Sequence, residues 1–300
     1  MKLAAKFAII FLILLQWSNS QQSSTVLFIS DTQQPLWIET LRLHTQENER
    51  ATQQLFSLMS RESCAAVFHL GDITALGMLD GYWKSFDTLR TMLPFPIYPA
   101  FGNHEYFIIP SWGKEQMLKR FPWLTPSWYR KQFGGAAIIV LNSNFSRLTE
   151  EENSEQDKWY RQTLAACDQD SSVSLIIVAC HHSPYTNSTI VSPDQQVLQR
   201  FAVPFSRAAK SKLFISGHAH TSEHFHMNGK DFLVIGGGGG LQQPLRDTAD
   251  ADWIGPKQFE RQGFHYVRLE LRSDSIIVQR KMLNSGFSGV TTVGELKIGR

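Results

Sequence analysis

The sequence predicts an α/β fold, with two mixed β-sheets packed as a sandwich and flanked by helices. Three observations lead there. Short apolar runs alternate with amphipathic helical stretches through the first two-thirds of the chain, whereas strand-like runs crowd the last third. Each early apolar run is short enough to be a strand buried on both faces. Each also ends on Gly, Asp, Asn or His, residue types that leave a sheet edge in a turn. No internal repeat, low-complexity tract or linker divides residues 21–300, which read as one domain with a sizeable core.

Residues 1–20 read as an export signal. Lys2 and Lys6 supply the positive start, Phe7 to Leu15 the apolar core, and Ser18-Asn19-Ser20 a small-residue cleavage site. The apolar core is shorter than a membrane span needs, so an uncleaved anchor is the lesser alternative. The expected location is therefore outside the cytoplasm: extracellular space, periplasm or an endomembrane lumen. Without Lys2 and Lys6 the chain holds 27 basic and 27 acidic residues, from totals of 29 and 27. A neutral chain with scattered Lys and Arg lacks the basic stripe of a nucleic-acid binder. Cys64, Cys167 and Cys180 allow at most one internal bridge. Asn144 and Asn187 begin Asn-x-Ser/Thr sequons, relevant where the source cell glycosylates.

Taken in order, Ser24 to Ser30 is a β-branched strand broken by Asp31-Thr32-Gln33-Gln34-Pro35. Thr45 to Ser60 is helical. Ala65 to Leu70 is a second strand, ending at Gly71-Asp72. Leu79 to Met92 is helical until Pro94 and Pro96. Ile97 to Phe101 is a third strand, ending at Gly102-Asn103-His104-Glu105. An aromatic loop with a short helix near 114–120 follows, then a hairpin of Trp128 to Phe133 and Ala136 to Leu141 across Gly134-Gly135. Thr149 to Ala166 is a helix whose Thr149 and Glu152 form a capping box. Val173 to Cys180 is a strand delivering His181-His182. Pro193 to Lys210 is helical with a break expected at Pro204. Lys212 to Ser216 is a strand ending at Gly217-His218-Ala219-His220. Asp231 to Ile235 runs into Gly236 to Gly240, and 263–271 with 275–281 forms an antiparallel pair.

Five strand ends thus carry Asp31, Asp72, Asn103-His104, His181-His182 and His218-x-His220. Catalytic groups of α/β sheets gather beyond the carboxyl ends of strands. Carboxylates, an amide and imidazoles together suit Zn, Fe or Mn better than an all-oxygen metal.

This ordered set resembles the calcineurin-like metallophosphoesterase superfamily. The stretch His182-Ser183-Pro184-Tyr185 with the later His-x-His is similar to its purple acid phosphatase branch. The resemblance spans residues 26 to about 240. It implies a dinuclear centre of Fe, Zn or Mn ions. Asp31 and His220 would hold the first ion and Asp72 would bridge. Asn103, His182 and His218 would hold the second. His104 would face the substrate as a catalytic residue, and a metal-bound hydroxide would be the nucleophile. The implied activity is a phosphoric ester hydrolase acting on small phosphorylated substrates. A phosphomonoesterase is the first expectation; a phosphodiesterase or a non-catalytic secreted relative that binds metal or phosphate is the alternative. The sequence departs from the pattern twice. Gln33 stands where most members carry a first-site His, and Ala75 where the purple enzymes carry the Tyr that colours their iron.

The remaining residues divide by position. Gln33 and His181 are candidates for direct or supporting contacts to metal. Tyr106 and Tyr185 are candidates for a substrate pocket. If strand alternation persists past Cys180, His181 faces away from His182. His69, inside a strand, reads as structural; His224 and His226 read as surface residues, and Gly236 to Gly240 as a close approach of backbone to the site.

Overall fold

The computed structural model describes residues 24–246 and 263–299. The signal-like segment 1–20 lies outside the described residues. Among them, two six-stranded mixed sheets stack face to face. The first has the order β12-β11-β10-β1-β2-β3, with β1 (Ser24–Ile29), β2 (Ala66–His69), β3 (Ile97–Pro99), β10 (His265–Leu271), β11 (Ser275–Leu283) and β12 (Val290–Gly299). The second has the order β4-β5-β6-β7-β9-β8. Its strands are β4 (Tyr129–Phe133), β5 (Ala136–Val140), β6 (Leu175–Ala179), β7 (Ser211–Ser216), β8 (Ser222–Met227) and β9 (Lys230–Ile235).

Strand alternation builds the layers. Val26 and Phe28 of β1 and Phe68 of β2 point between the sheets, meeting Ile138, Val140, Ile177 and Ile215 of the second sheet. Leu27 and Ile29 point the other way. They pack under α1 (Asn48–Met59), α2 (Asp80–Leu89) and α3 (Pro110–Arg120) through Leu55, Phe56, Trp83, Phe86 and Met117. The outer face of the second sheet, with Ile139, Ile176 and Val178, meets Tyr160 and Leu164 of α4 (Glu150–Gln169) and Phe201 and Phe205. Each such side chain, fully buried, contributes about 1.5–3 kcal/mol of transfer free energy.

Local signals are realised where they are chemically specific. Thr149 accepts from Glu152 N and Glu152 accepts from Thr149 N, closing the capping box of α4. The expected break at Pro204 is absent. The chain runs through α5 (Gln195–Val197), a π-helical turn at Leu198–Ala202 and α6 (Val203–Arg207). Pro204 lies in the first turn of α6, where its missing N–H costs little. β12 is unforeseen, since its residues are exposed or half-buried except Ile298 and show no clear apolar run. β8 supplies the antiparallel partner of β9, with His224 opposite Leu233 and His226 opposite Asp231.

The parallel pairs β1–β2–β3 and β5–β6–β7–β9 fix what matters for the site. Every strand that precedes a chemistry-bearing turn belongs to one of these two sets.

Candidate metal centre

The turns after the parallel strands are held in costly backbone conformations. Asp31 (φ 61°), Asp72 (φ 51°), His218 (φ 68°) and His220 (φ 46°) all occupy the left-handed region. Each non-glycine residue there costs about 1–3 kcal/mol and persists only when its surroundings impose it. Hydrogen bonds between the turns impose it: Asp31 N donates to Gly71 O, Thr32 N to Asp72 O, Gly217 N to His181 O and Gly240 N to Asp31 O. Two glycines permit the close approach. Gly71 (φ 93°) lies against Gly102, and a Cβ on Gly240 would enter the ring of His220. The glycine run therefore packs against the site.

One end of the crevice gathers Asp31, Asp72 and His220, whose ligand atoms lie within 4.8 Å of one another. Both carboxylates are buried, and among the described residues their ion-pair partners are histidines, not Lys or Arg. Asp31 accepts from His218 N at 3.0 Å through Oδ2. His220 donates Nδ1–H to Leu241 O at 2.7 Å, which turns Nε2 toward Asp31 Oδ1 at 3.4 Å. Gln33 is buried beside it, with Nε2 3.0 Å from His220 Nε2 and Oε1 without a hydrogen-bond partner. Burial opposes ionisation of Asp31, but His220 outweighs it and holds the carboxyl below the usual carboxylate range.

The other end gathers His181, His182 and His218, again within 4.8 Å. Their order differs from the sequence expectation. His181, not His182, lies beside Asn103: its Nε2 is 3.0 Å from Asn103 Oδ1 and 3.2 Å from Asp72 Oδ2. The reason is local. β6 ends at Ala179, so strand alternation no longer governs residues 181 and 182. His181 donates Nδ1–H to Leu70 O at 2.9 Å, whereas His182 Nδ1 is 2.8 Å from Ser143 Oγ. Burial lowers the pKa of His181, yet the charge of Asp72 prevails and pushes it up to about 9. Burial and the neighbouring imidazoles hold His218 well below its ordinary range and take His182 down to about 3.

These residues fit a pair of cations. His181 and His220 each give one ring nitrogen to a backbone carbonyl and aim the other at carboxylate or amide oxygen. That is the usual orientation of a metal-ligating imidazole. Two buried carboxylates without a Lys or Arg partner, and an orphaned Gln33 Oε1, call for positive charge at the same place.

His104 lies beside Asp72. Its Nδ1–H donates to Ala75 O at 2.8 Å, and Nε2 stands 3.9 Å from Asp72 Oδ2. Thus Ala75, which lacks the colouring Tyr, positions His104 through its backbone. Glu105 is a structural member of the site with no local signal of its role. It is buried and accepts from Asp72 N (2.9 Å), Ile73 N (2.8 Å) and Gly102 N (2.7 Å), clamping two turns together. Burial and the charge of Asp72 push its carboxyl up to about 7.

Other expected positions fall elsewhere. Tyr106 is buried, stacks on Phe101 and accepts from Asn142 Nδ2 through its hydroxyl, so it belongs to the core rather than a pocket. Tyr185 packs against Phe225 and Phe232 on the helix side of the second sheet. His224 is buried, with Nε2 2.9 Å from Asp231 Oδ1, because β8 turns it inward. His69 is structural as expected: its Nε2 is 2.9 Å from Thr32 Oγ1, and burial lowers it to about 3. Asn144 is buried, and its Nδ2 donates to Phe101 O and Asn142 Oδ1, so that sequon offers no free amide for a glycan. All three cysteines are free.

With this geometry in view, the family model for calcineurin-like phosphoesterases matches residues 24–222. The chain belongs to that family. A search of curated proteins finds no match. Among solved structures, a purple acid phosphatase from yellow lupin (Lupinus luteus) superposes with a TM-score of 0.68 at 16% identity, over 93% of this chain and 54% of that one. This chain thus spans about half the length of the lupin protein. GAP50, the anchor in the inner membrane complex of Plasmodium, gives 0.71 at 15%, covering 92% and 89%. A dimetal phosphatase from Danio rerio gives 0.59 at 13%, covering 92% and 98%. These likenesses establish the shared sandwich fold. The family implies a dinuclear metal centre. No helix among the described residues is long and apolar enough to cross a membrane.

Proposed function

We propose that the protein is an exported phosphomonoesterase of acid-phosphatase type that works with two metal ions. One observation carries this reading: buried carboxylates, an amide and imidazoles converge around Asp72, with His104 beside it and ring nitrogens oriented by backbone carbonyls. Asp31, His220 and the amide oxygen of Gln33 would hold one ion, and Asn103, His181 and His218 the other, with Asp72 shared. His182, fixed by Ser143, would border the second group. Nitrogen and oxygen donors together favour Fe, Zn or Mn. When bound, such a pair supplies Lewis-acid charge and an activated water for in-line displacement.

The chain's own residues do the rest. Asp31, Asp72 and Asn103 fix the register of the two ends. His104 Nε2 faces the shared carboxylate and would hold the proton for the departing oxygen, while the Ala75 carbonyl keeps the ring from rotating. Next to His182 and His218, a cavity of about 480 Å³ lined by Ser192, Asp194, Gln195 and Gln196 leaves room for a polar group of the substrate.

Gln33 favours one second reading. Its amide nitrogen meets His220 Nε2, the atom a first-site ion would use. A relative with that site empty would bind or anchor, as is named for GAP50, rather than turn over. Metal content per chain, combined with hydrolysis of 4-nitrophenyl phosphate and bis(4-nitrophenyl) phosphate before and after chelation, separates the readings. We expect stoichiometric metal, chelator-sensitive hydrolysis and faster attack on the monoester. Metal-free protein with no turnover would overturn the enzyme reading. Faster attack on the diester would replace the monoesterase by a phosphodiesterase.

A further inference from the structure

We propose that Phe107 is a shelf for the leaving group, selecting phosphomonoesters of planar, aromatic alcohols. The inference rests on the phosphomonoesterase reading and adds the substrate class to it.

Three observations carry it. First, the ring of Phe107 lies nearly parallel to that of His104, with centroids 5.9 Å apart and planes at 30°. His104 is the group that would meet the departing oxygen, so whatever that oxygen carries passes over or beside Phe107. Second, Phe107 is not a core residue. It is 44% exposed and Ile108 is 61% exposed, whereas the preceding Tyr106 is 2% exposed. Third, the exposure is imposed by the backbone. Ile109 N donates to Phe107 O at 3.0 Å, closing a three-residue turn around Ile108, whose φ is 66°. A β-branched residue in the left-handed region is a rare and strained arrangement. Strain of this kind is retained at ligand clamps.

A shelf of this sort favours flat aromatic faces, which stack in offset or tilted geometry on an exposed ring. An extended polyol or a simple alkyl alcohol has no such face. The polar cavity beside His182 and His218 lies at the other metal group and does not compete for the aromatic part.

The test compares phenyl phosphate with glycerol phosphate on the metal-loaded, full-length protein. Phe107→Ala should raise KM for phenyl phosphate by about 3- to 10-fold, the scale of one aromatic contact. The ratio of kcat/KM for phenyl over glycerol phosphate should fall by about the same factor, and Phe107→Trp should restore that ratio. An equal loss on both esters, mainly in kcat, would mean that Phe107 only supports His104, and would overturn the proposal. Ile108→Gly provides the second variant. It relieves the left-handed strain, so its melting temperature should not fall, while the aryl preference should shrink as the turn loosens. A lower melting temperature with full aryl preference would also overturn it. Failure of the underlying reading looks different, because the unmodified protein would then hydrolyse neither ester.

Discussion

The two ends of the crevice differ in donor chemistry although they share Asp72. The end around Asp31 and His220 offers two buried carboxylates, one imidazole and the amide of Gln33. The end around Asn103 offers three imidazoles and an amide, with a carboxylate only through Asp72. The first is the harder and more negative site, the second the softer and more nearly neutral one. Neighbouring charges show the same contrast. At the first end the carboxylate and imidazole support each other's ionised forms, whereas at the second burial and the neighbouring imidazoles hold His182 and His218 down, and only His181, against Asp72, is raised. Asp72, 3.2 Å from His181 Nε2, thus joins two ends whose donors differ.

Asp72→Asn attacks what the two ends share and should have the largest effect. Both metals should be lost and turnover should fall by about 10³-fold or more, the scale of removing a principal electrostatic element. Elemental analysis with kinetics checks it, and full metal occupancy with normal turnover would contradict a bridging role. His104→Ala removes the group beside Asp72. It should retain the metals and slow turnover by about 10²–10⁴-fold, as for a positioned acid.

The next pair of variants sharpens the softer end. His181→Ala should cost one metal per chain, whereas His182→Ala should keep both and weaken turnover by about 10-fold or less. If His182→Ala is the variant that loses metal, the orientation of His181 toward Asn103 has no bearing on binding. Gln33→His probes the harder end more gently. Supplying a nitrogen donor should tighten the first metal, read as a higher chelator concentration for half-removal. Unchanged affinity would place Gln33 outside its coordination.

The smallest effect concerns the metal-free fold. Burial lowers His69 to about 3 and His265 to about 4, so both stay neutral in the folded state. Unfolded, each takes a proton near pH 6.5. Their stabilisation is complete above that pH and is lost as pH falls toward 4 and then 3. His181, raised to about 9, acts with the opposite sign: its contribution is complete below about 6.5 and is lost as pH rises to about 9. Urea midpoints of the metal-free protein should therefore decline on both sides of about pH 6.5, and a midpoint that rises steadily toward pH 9 would contradict the assignment.

Much of the site was legible because turn chemistry is local. Asp31, Asp72, Asn103, His218 and His220 each follow an apolar run short enough to be only a strand, and the structure brings them into one crevice. The αββα layering was legible from the same runs. What was not legible depended on where a strand stops. A strand ending at Ala179 rather than Cys180 lets His181 join His182 in one group and lie beside Asn103. One residue likewise separates Tyr106, a core ring, from Phe107, an exposed one. Glu105 showed no sign of its clamp, because its three donors come from two different turns.

By itself, then, the sequence determined the buried strands, the helices between them and the polar residues waiting at their ends, since hydrophobic periodicity and turn preference act over a few neighbouring residues. Only the tertiary structure decided which imidazole meets which oxygen and which aromatic ring faces solvent. Those choices rest on hydrogen bonds between turns more than a hundred residues apart, such as His218 N to Asp31 and His181 Nδ1 to Leu70 O. No local preference encodes contacts of that range.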